Sequence, residues 1–274
     1  MDNAVPPVLL LNVSTAALIW GTPVLIGYAF PAIVPETVSR ISRISGEAHL
    51  YLFIKSAMVG TSWICAFFAL KHLPISIATP IRATSPLWTI LVAVTLMGES
   101  PGQGQWLGMM IVIVAFLFFS IVGAREGIHF NRNGWVWIMI VATLVGAGCG
   151  LYDKFLLQRL NYPPAVVQAW FSIYLVPVMT PLTLYWWRYD RQKSAFEWRW
   201  SIPMIAILLL VADYFYFCSL ATEGSLVSIV STLRRTSVLI AFVYGIRQLK
   251  EKHWKPKLVC IIAILLGVLF ITQS

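Results

Sequence analysis

Apolar stretches of about twenty residues recur from one end of this chain to the other, and they narrow its possible folds more than any other feature. A helix of about 20 apolar residues crosses the roughly 30 Å hydrocarbon core of a bilayer. The sequence offers nine such stretches, at about 8–30, 49–70, 74–97, 104–123, 134–157, 164–187, 201–221, 225–246 and 257–273. Inside a bilayer every backbone N–H and C=O must be satisfied by the protein itself, which leaves helices or closed barrels. Barrel strands alternate apolar and polar residues over about ten positions, and no segment here does. The expected fold is therefore all-α, a polytopic transmembrane helix bundle. Charged residues make up 11% of the 274, against about a quarter in soluble domains. Too few charges remain to solvate a surface, which excludes a soluble enzyme, a disordered chain and a nucleic-acid-binding domain. The net charge of +9 belongs to loops facing a membrane.

The connections are short, and proline or glycine marks several joints: Pro74, Pro101, Pro163, Gly224 and Pro256. Only 31–48, 124–133, 188–199 and 247–256 are true polar loops, and none could fold alone. The four cysteines are far apart within apolar stretches, and His49, His72, His129 and His253 show no metal-ligand spacing. Neither a metal nor a cofactor is indicated. Polar loops this short, with no acid at catalytic spacing from any histidine, also argue against an enzyme.

Transporters are often built from inverted repeats, and a shift of 152 residues exposes one here. It lays Ser76-Ile77 on Ser228-Ile229, Arg82 on Arg234, Thr84-Ser85 on Thr236-Ser237 and Glu99 on Glu251. An intramembrane arginine and a span-closing glutamate matching at one offset are far less common than apolar matches. Spans one to four thus repeat as spans six to nine, within a first repeat over 1–123 and a second over 134–274. Span five has no partner, so the pattern implies inverted five-helix repeats whose first helix, before Met1, is missing; a native count of nine helices is the alternative. Of the twenty basic residues, twelve fall in loops on one side and three, Arg40, Arg43 and Arg159, on the other. The positive-inside rule makes the richer side cytoplasmic, with the N-terminus inside. Trp186, Trp187, Trp198, Trp200 and Trp254 flank those loops as an interfacial belt would.

Five cations lie within spans: Lys55, Arg82, Lys154, Arg234 and Arg235, against Asp153 and Asp213. A charge at mid-bilayer costs about 2.5–3.5 kcal/mol on insertion scales, so it persists where it is paired or used. Lys55, Asp153 and Lys154 read best as anchors near helix ends. Arg82, Arg234 and Arg235 are too deep to reach the surface easily, and guanidinium forks suit carboxylate and phosphate. They are the candidate ligands of a small organic anion. Ser231, Thr232, Thr84 and Ser85 are within about a turn as hydroxyl donors, with Tyr214 and Tyr216 as candidate walls. Asp213, equally central, is the candidate proton-coupling carboxylate. Glu99 and Glu251 serve helix ends and loops.

The segments SIATPIRATSPLWTILVAVTLMGE (76–99) and SLVSIVSTLRRTSVLIAFVYGIRQLKE (225–251) resemble the drug/metabolite transporter superfamily, in particular its EamA-type members. Each has a proline- or serine-rich helix start, a small-residue helix and a closing glutamate. The resemblance implies ten helices in two inverted repeats around a central cavity, and export or exchange of small metabolites by alternating access. It also implies both termini in the cytoplasm, against the loop count. The Arg234-Arg235 pair is similar to the basic pair of the sugar-phosphate/phosphate translocator branch, which implies these two as anion ligands. The expected partners are an anionic metabolite and the lipid bilayer, and a homodimer is compatible with this reading. The expected location is the inner membrane of a bacterium. An exporter of amino acids or drugs, and a non-transporting membrane subunit, are the alternatives.

Overall fold

A computed structural model of the chain describes residues 3–32, 35–73, 78, 81–82, 84–96, 98–123, 134–235 and 254–273. Every regular element among them is helical: α1 Val5–Ala29, α2 Glu36–Ser42, α3 Gly46–His72, α4 Ser85–Leu96, α5 Gln103–Gly123, α6 Gly134–Lys154, α7 Pro164–Tyr185, α8 Ser201–Ala221, α9 Val227–Arg235 and α10 Trp254–Gln273. Helix α6 continues through a wider turn over Phe155–Arg159, and α7 through another over Trp186–Asp190. Five spans, Val5–Ala29, Gly46–His72, Gly134–Arg159, Pro164–Asp190 and Ser201–Ala221, are long and apolar enough to cross a membrane. Large apolar side chains face outward on them, Leu18 at 72%, Leu208 at 63% and Phe215 at 68% exposure. A water-soluble protein would bury such a run; hydrocarbon solvates it.

Local chemistry sets the helix ends. Prolines stand in the first turns of α1 and α7, where a missing N–H costs nothing. Beyond the Phe155–Arg159 turn, Asn161 takes φ +54° and the Tyr162 N–H reaches back to the Leu156 carbonyl, closing the helix before Pro163. Asparagine tolerates this left-handed backbone better than a branched residue would.

The contacts divide the chain into two compact units, 1–64 with 152–223 and 65–151 with 224–274, so each unit draws on both sequence halves. In the first, α1 runs along α7 and packs on α8, while α2 lies against α1 and α7. Its core joins Leu9 and Val13 of α1 to Phe171, Leu175 and Met179 of α7, with Val59 and Trp63 of α3. The segment before α8 is tied to the start of α1. Asn3 Nδ2 donates to the Glu197 carbonyl at 2.8 Å, and the Glu197 N–H donates to Asn3 Oδ1 at 2.9 Å. The tryptophan belt is only partly as expected. Trp187, Trp198 and Trp200 are exposed, but Trp186 is buried and its indole N–H holds the Ser194 carbonyl at 3.0 Å. The tight turn after α7 folds that ring inward.

In the second unit α5 runs along α10, and α9 packs on α4 and α5. Ile90, Met109, Val112, Ile113 and Ile264 form one core cluster. Ala66, Ala69 and Leu73 form another with Val136, Met139 and Ala142.

Candidate functional site

The first unit carries a line of buried polar groups through an otherwise apolar interior. On α3, the Lys55 ammonium donates to the Asp153 carboxylate of α6, with the two residues 2% and 5% exposed. Two rings enclose the ammonium: Phe171 of α7 at 4.7 Å and Phe217 of α8 at 4.6 Å from the ring centres. A desolvated cation over an aromatic face gains about 2 kcal/mol, which offsets part of the cost of burying the pair. Beside it the Ser56 hydroxyl bonds the Leu52 and Phe171 carbonyls. This corrects the sequence reading of Lys55 and Asp153 as interfacial anchors. They sit in spans far apart in the chain, and no local spacing could have announced that the fold brings them together. The available signal was two opposite charges, each too costly to leave unpaired in hydrocarbon.

Asp213 lies on the next turn of α8 before Phe217 and is buried. It lines a cavity of about 20 Å³ together with Asn12 of α1, Trp63 of α3, Phe171 and Ser172 of α7, and Leu210 of α8. One water molecule needs roughly 10–15 Å³, so the space suits one small guest. Asn12 Nδ2 donates to the Ile202 carbonyl at 3.2 Å, leaving its carbonyl oxygen as an acceptor. One turn before Ser172, the Gln168 amide donates to the Leu210 carbonyl at 2.7 Å; its own oxygen is buried and makes no hydrogen bond. Of the two tyrosines expected as walls, Tyr216 is buried. Tyr214 is 39% exposed, its ring 6.3 Å from Trp20. Consecutive helix positions point about 100° apart, so Asp213 and Tyr214 face different surroundings.

The arginine candidates belong to the second unit. Arg82 is half-buried at the turn that leads into α4, where the Thr84 N–H and hydroxyl both return to the Ile81 carbonyl. Ser85 is buried at the start of α4 and Arg234 is exposed near the end of α9. The side chains of Arg235, Ser231 and Thr232, and the whole of Glu251, lie outside the described residues. Glu99 does serve a helix end. Its Oε1 accepts the backbone N–H of Val227 at 2.7 Å, placing a carboxylate at the N-terminus of α9 where the helix dipole favours it. Among the described residues no group of three or more His, Cys, Asp or Glu could hold a metal ion.

Residues 5–121 match the EamA-like transporter family. A crystal structure described only as that of a protein superimposes with a TM-score of 0.72 at 16% sequence identity, over 99% of this chain and 89% of that one. That likeness concerns the fold. No curated protein matches the sequence. The apolar helices, with the EamA-like match over part of the chain, mark an integral, multi-pass membrane protein.

Proposed function

We propose that this multi-pass chain, with its EamA-like first half, is a secondary transporter that moves a small organic anion by alternating access. The charge balance within the spans carries the reading. Five cations, Lys55, Arg82, Lys154, Arg234 and Arg235, share the spans with two carboxylates, Asp153 and Asp213. A phosphorylated or carboxylated metabolite neutralises such an excess most simply, because guanidinium forks bind both groups in two-point fashion. Arg82 and Arg234, related by the internal repeat and placed in one unit, are the proposed ligands, with Arg235, Ser231 and Ser85 beside them.

The test is a thermal-unfolding screen of the detergent-purified protein against phosphorylated sugars, nucleotides, nucleotide sugars, dicarboxylates, amino acids and cationic drugs. A ligand at about 100 times its dissociation constant adds about 2.7 kcal/mol. The expected result is stabilisation by one class of anion, lost in Arg82→Ala and in Arg234→Ala. Stabilisation by cations or neutral amino acids, retained in both variants, would sink the anion reading.

A further inference from the structure

Helices α5 and α10 run side by side in the second unit, and a groove of about 640 Å³ lies along the pair. Small residues make its floor: Ala115 and Cys260 are buried, with Ala263 one turn further along α10. Large ones make its walls: Met110, Phe118 and Val259 are all exposed. None of these residues carries a charge or a hydroxyl, and a polar guest would give up its hydrogen bonds without replacement. The guest that fits is hydrocarbon. From Met110 to Phe118 the groove follows about 12 Å of helix, close to the ~15 Å of hydrocarbon in one leaflet, half of the roughly 30 Å core.

The shape favours a flexible chain over another helix. Transmembrane helices associate through small residues that let their backbones approach. Here that close approach is used within the pair, where Gly267 meets Gly108 and Val112. What remains beside the groove is a set of large side chains.

Charge marks one end. Helix α10 opens with Trp254, Lys255 and Lys257. Lys255 stands four residues before Val259 and eight before Ala263, so it shares their helix face. Gly267, in the far half of α10, meets Gly108 and Val112 near the start of α5, so the two helices run antiparallel and Phe118 falls at the Lys255 end. Arg125 follows α5 by two residues in the sequence. Basic residues beside a helix end attract anionic headgroups, and tryptophan favours the headgroup level.

We infer that the groove between α5 and α10 holds one acyl chain of an anionic phospholipid, whose phosphate sits at the Lys255 and Lys257 end. The site lies wholly within the second unit and does not rest on the transporter reading.

The test is native mass spectrometry of the delipidated full chain in detergent, titrated with phosphatidylglycerol and with phosphatidylcholine of the same acyl chains. The parent should bind one phosphatidylglycerol about thirtyfold more tightly than phosphatidylcholine, since each lysine near the headgroups contributes about fivefold. Lys255→Gln with Lys257→Gln should erase that preference and leave phosphatidylcholine binding as it was, which also shows that the variant is folded. Val259→Trp, a change on the exposed wall, should weaken both lipids about tenfold, the loss of two buried methylenes. Ala263→Phe fills the floor instead and is the second block, and the melting temperature of each variant checks its folding. Equal affinity for the two lipids in the parent would overturn the site. So would phosphatidylglycerol binding untouched by both groove variants, because the basic segments would then hold the headgroup alone. A dimer of the parent that is lost in Val259→Trp would assign the groove to a second copy of the chain and overturn the lipid reading as well.

Discussion

Lys55 and Asp153, 98 residues apart in sequence, meet as a nearly dry ion pair between the rings of Phe171 and Phe217. Four segments of the chain thereby share one contact, at the price of taking two charges out of water. Breaking such a pair by removing one partner typically costs about 3–5 kcal/mol, because the other charge is left buried. Lys55→Met and Asp153→Asn should each lower the melting temperature sharply. The double substitution should recover a large part of that loss, and its unfolding compared with the two singles measures the coupling directly. If the double variant is as unstable as the sum of the singles, the pair is not an energetic unit.

A second expectation concerns Glu99, whose carboxylate accepts the Val227 N–H at the start of α9. Glu99→Gln keeps the acceptor oxygen but removes the charge that complements the helix dipole, worth about 0.3–1 kcal/mol. Glu99→Ala removes the acceptor as well and leaves the N–H without this partner, for about 1–3 kcal/mol. Thermal unfolding of the two variants should rank them in that order. Equal losses would mean that charge alone matters there.

Close helix approach at two glycines makes a third prediction. A Cβ at Gly267 of α10 would stand 2.6 Å from Val112 Cγ2 and 2.8 Å from the Gly108 carbonyl oxygen of α5, and one at Gly60 of α3 would stand 2.5 Å from Val178 Cγ1 of α7. Small residues at helix crossings let backbones pack this closely. Gly267→Ala should destabilise by about 1–3 kcal/mol, the usual cost of overpacking. Gly60→Ala should cost less, because the side chain of Val178 can yield where the backbone at Gly108 cannot. Gly46→Ala, with nothing within 4 Å, should be nearly silent.

Gln168 supplies the fourth. It is 1% exposed, with one hydrogen bond made and one oxygen left without a donor. Gln168→Met gives up a bond worth about 1 kcal/mol but also removes a buried polar oxygen that costs at least as much. Stability should therefore be almost unchanged, in contrast to the Lys55 and Asp153 singles, and a loss beyond about 2 kcal/mol would mean that the oxygen has a partner.

Much of this protein was legible before any tertiary contact was known. Span length and the scarcity of charge determine a polytopic helical membrane protein, because hydrocarbon leaves the backbone few other ways to satisfy its hydrogen bonds. Seven of the nine expected spans are long helices among the described residues, Val5–Ala29 and Ser201–Ala221 among them. The segments that carried the family resemblance, 76–99 and 225–251, are described only in part, through α4 and α9. The role of Glu99 at a helix end was also foreseeable, since a carboxylate closing a span has a helix terminus near it. What sequence could not decide is which buried charges meet. Helix faces rotate by 100° per residue, and the partner of Lys55 is set by how α3, α6, α7 and α8 pack, not by any spacing along the chain. The same packing buries Asp213, leaves Tyr214 outside and turns Trp186 inward. Each side chain's role follows from the neighbours that the fold supplies.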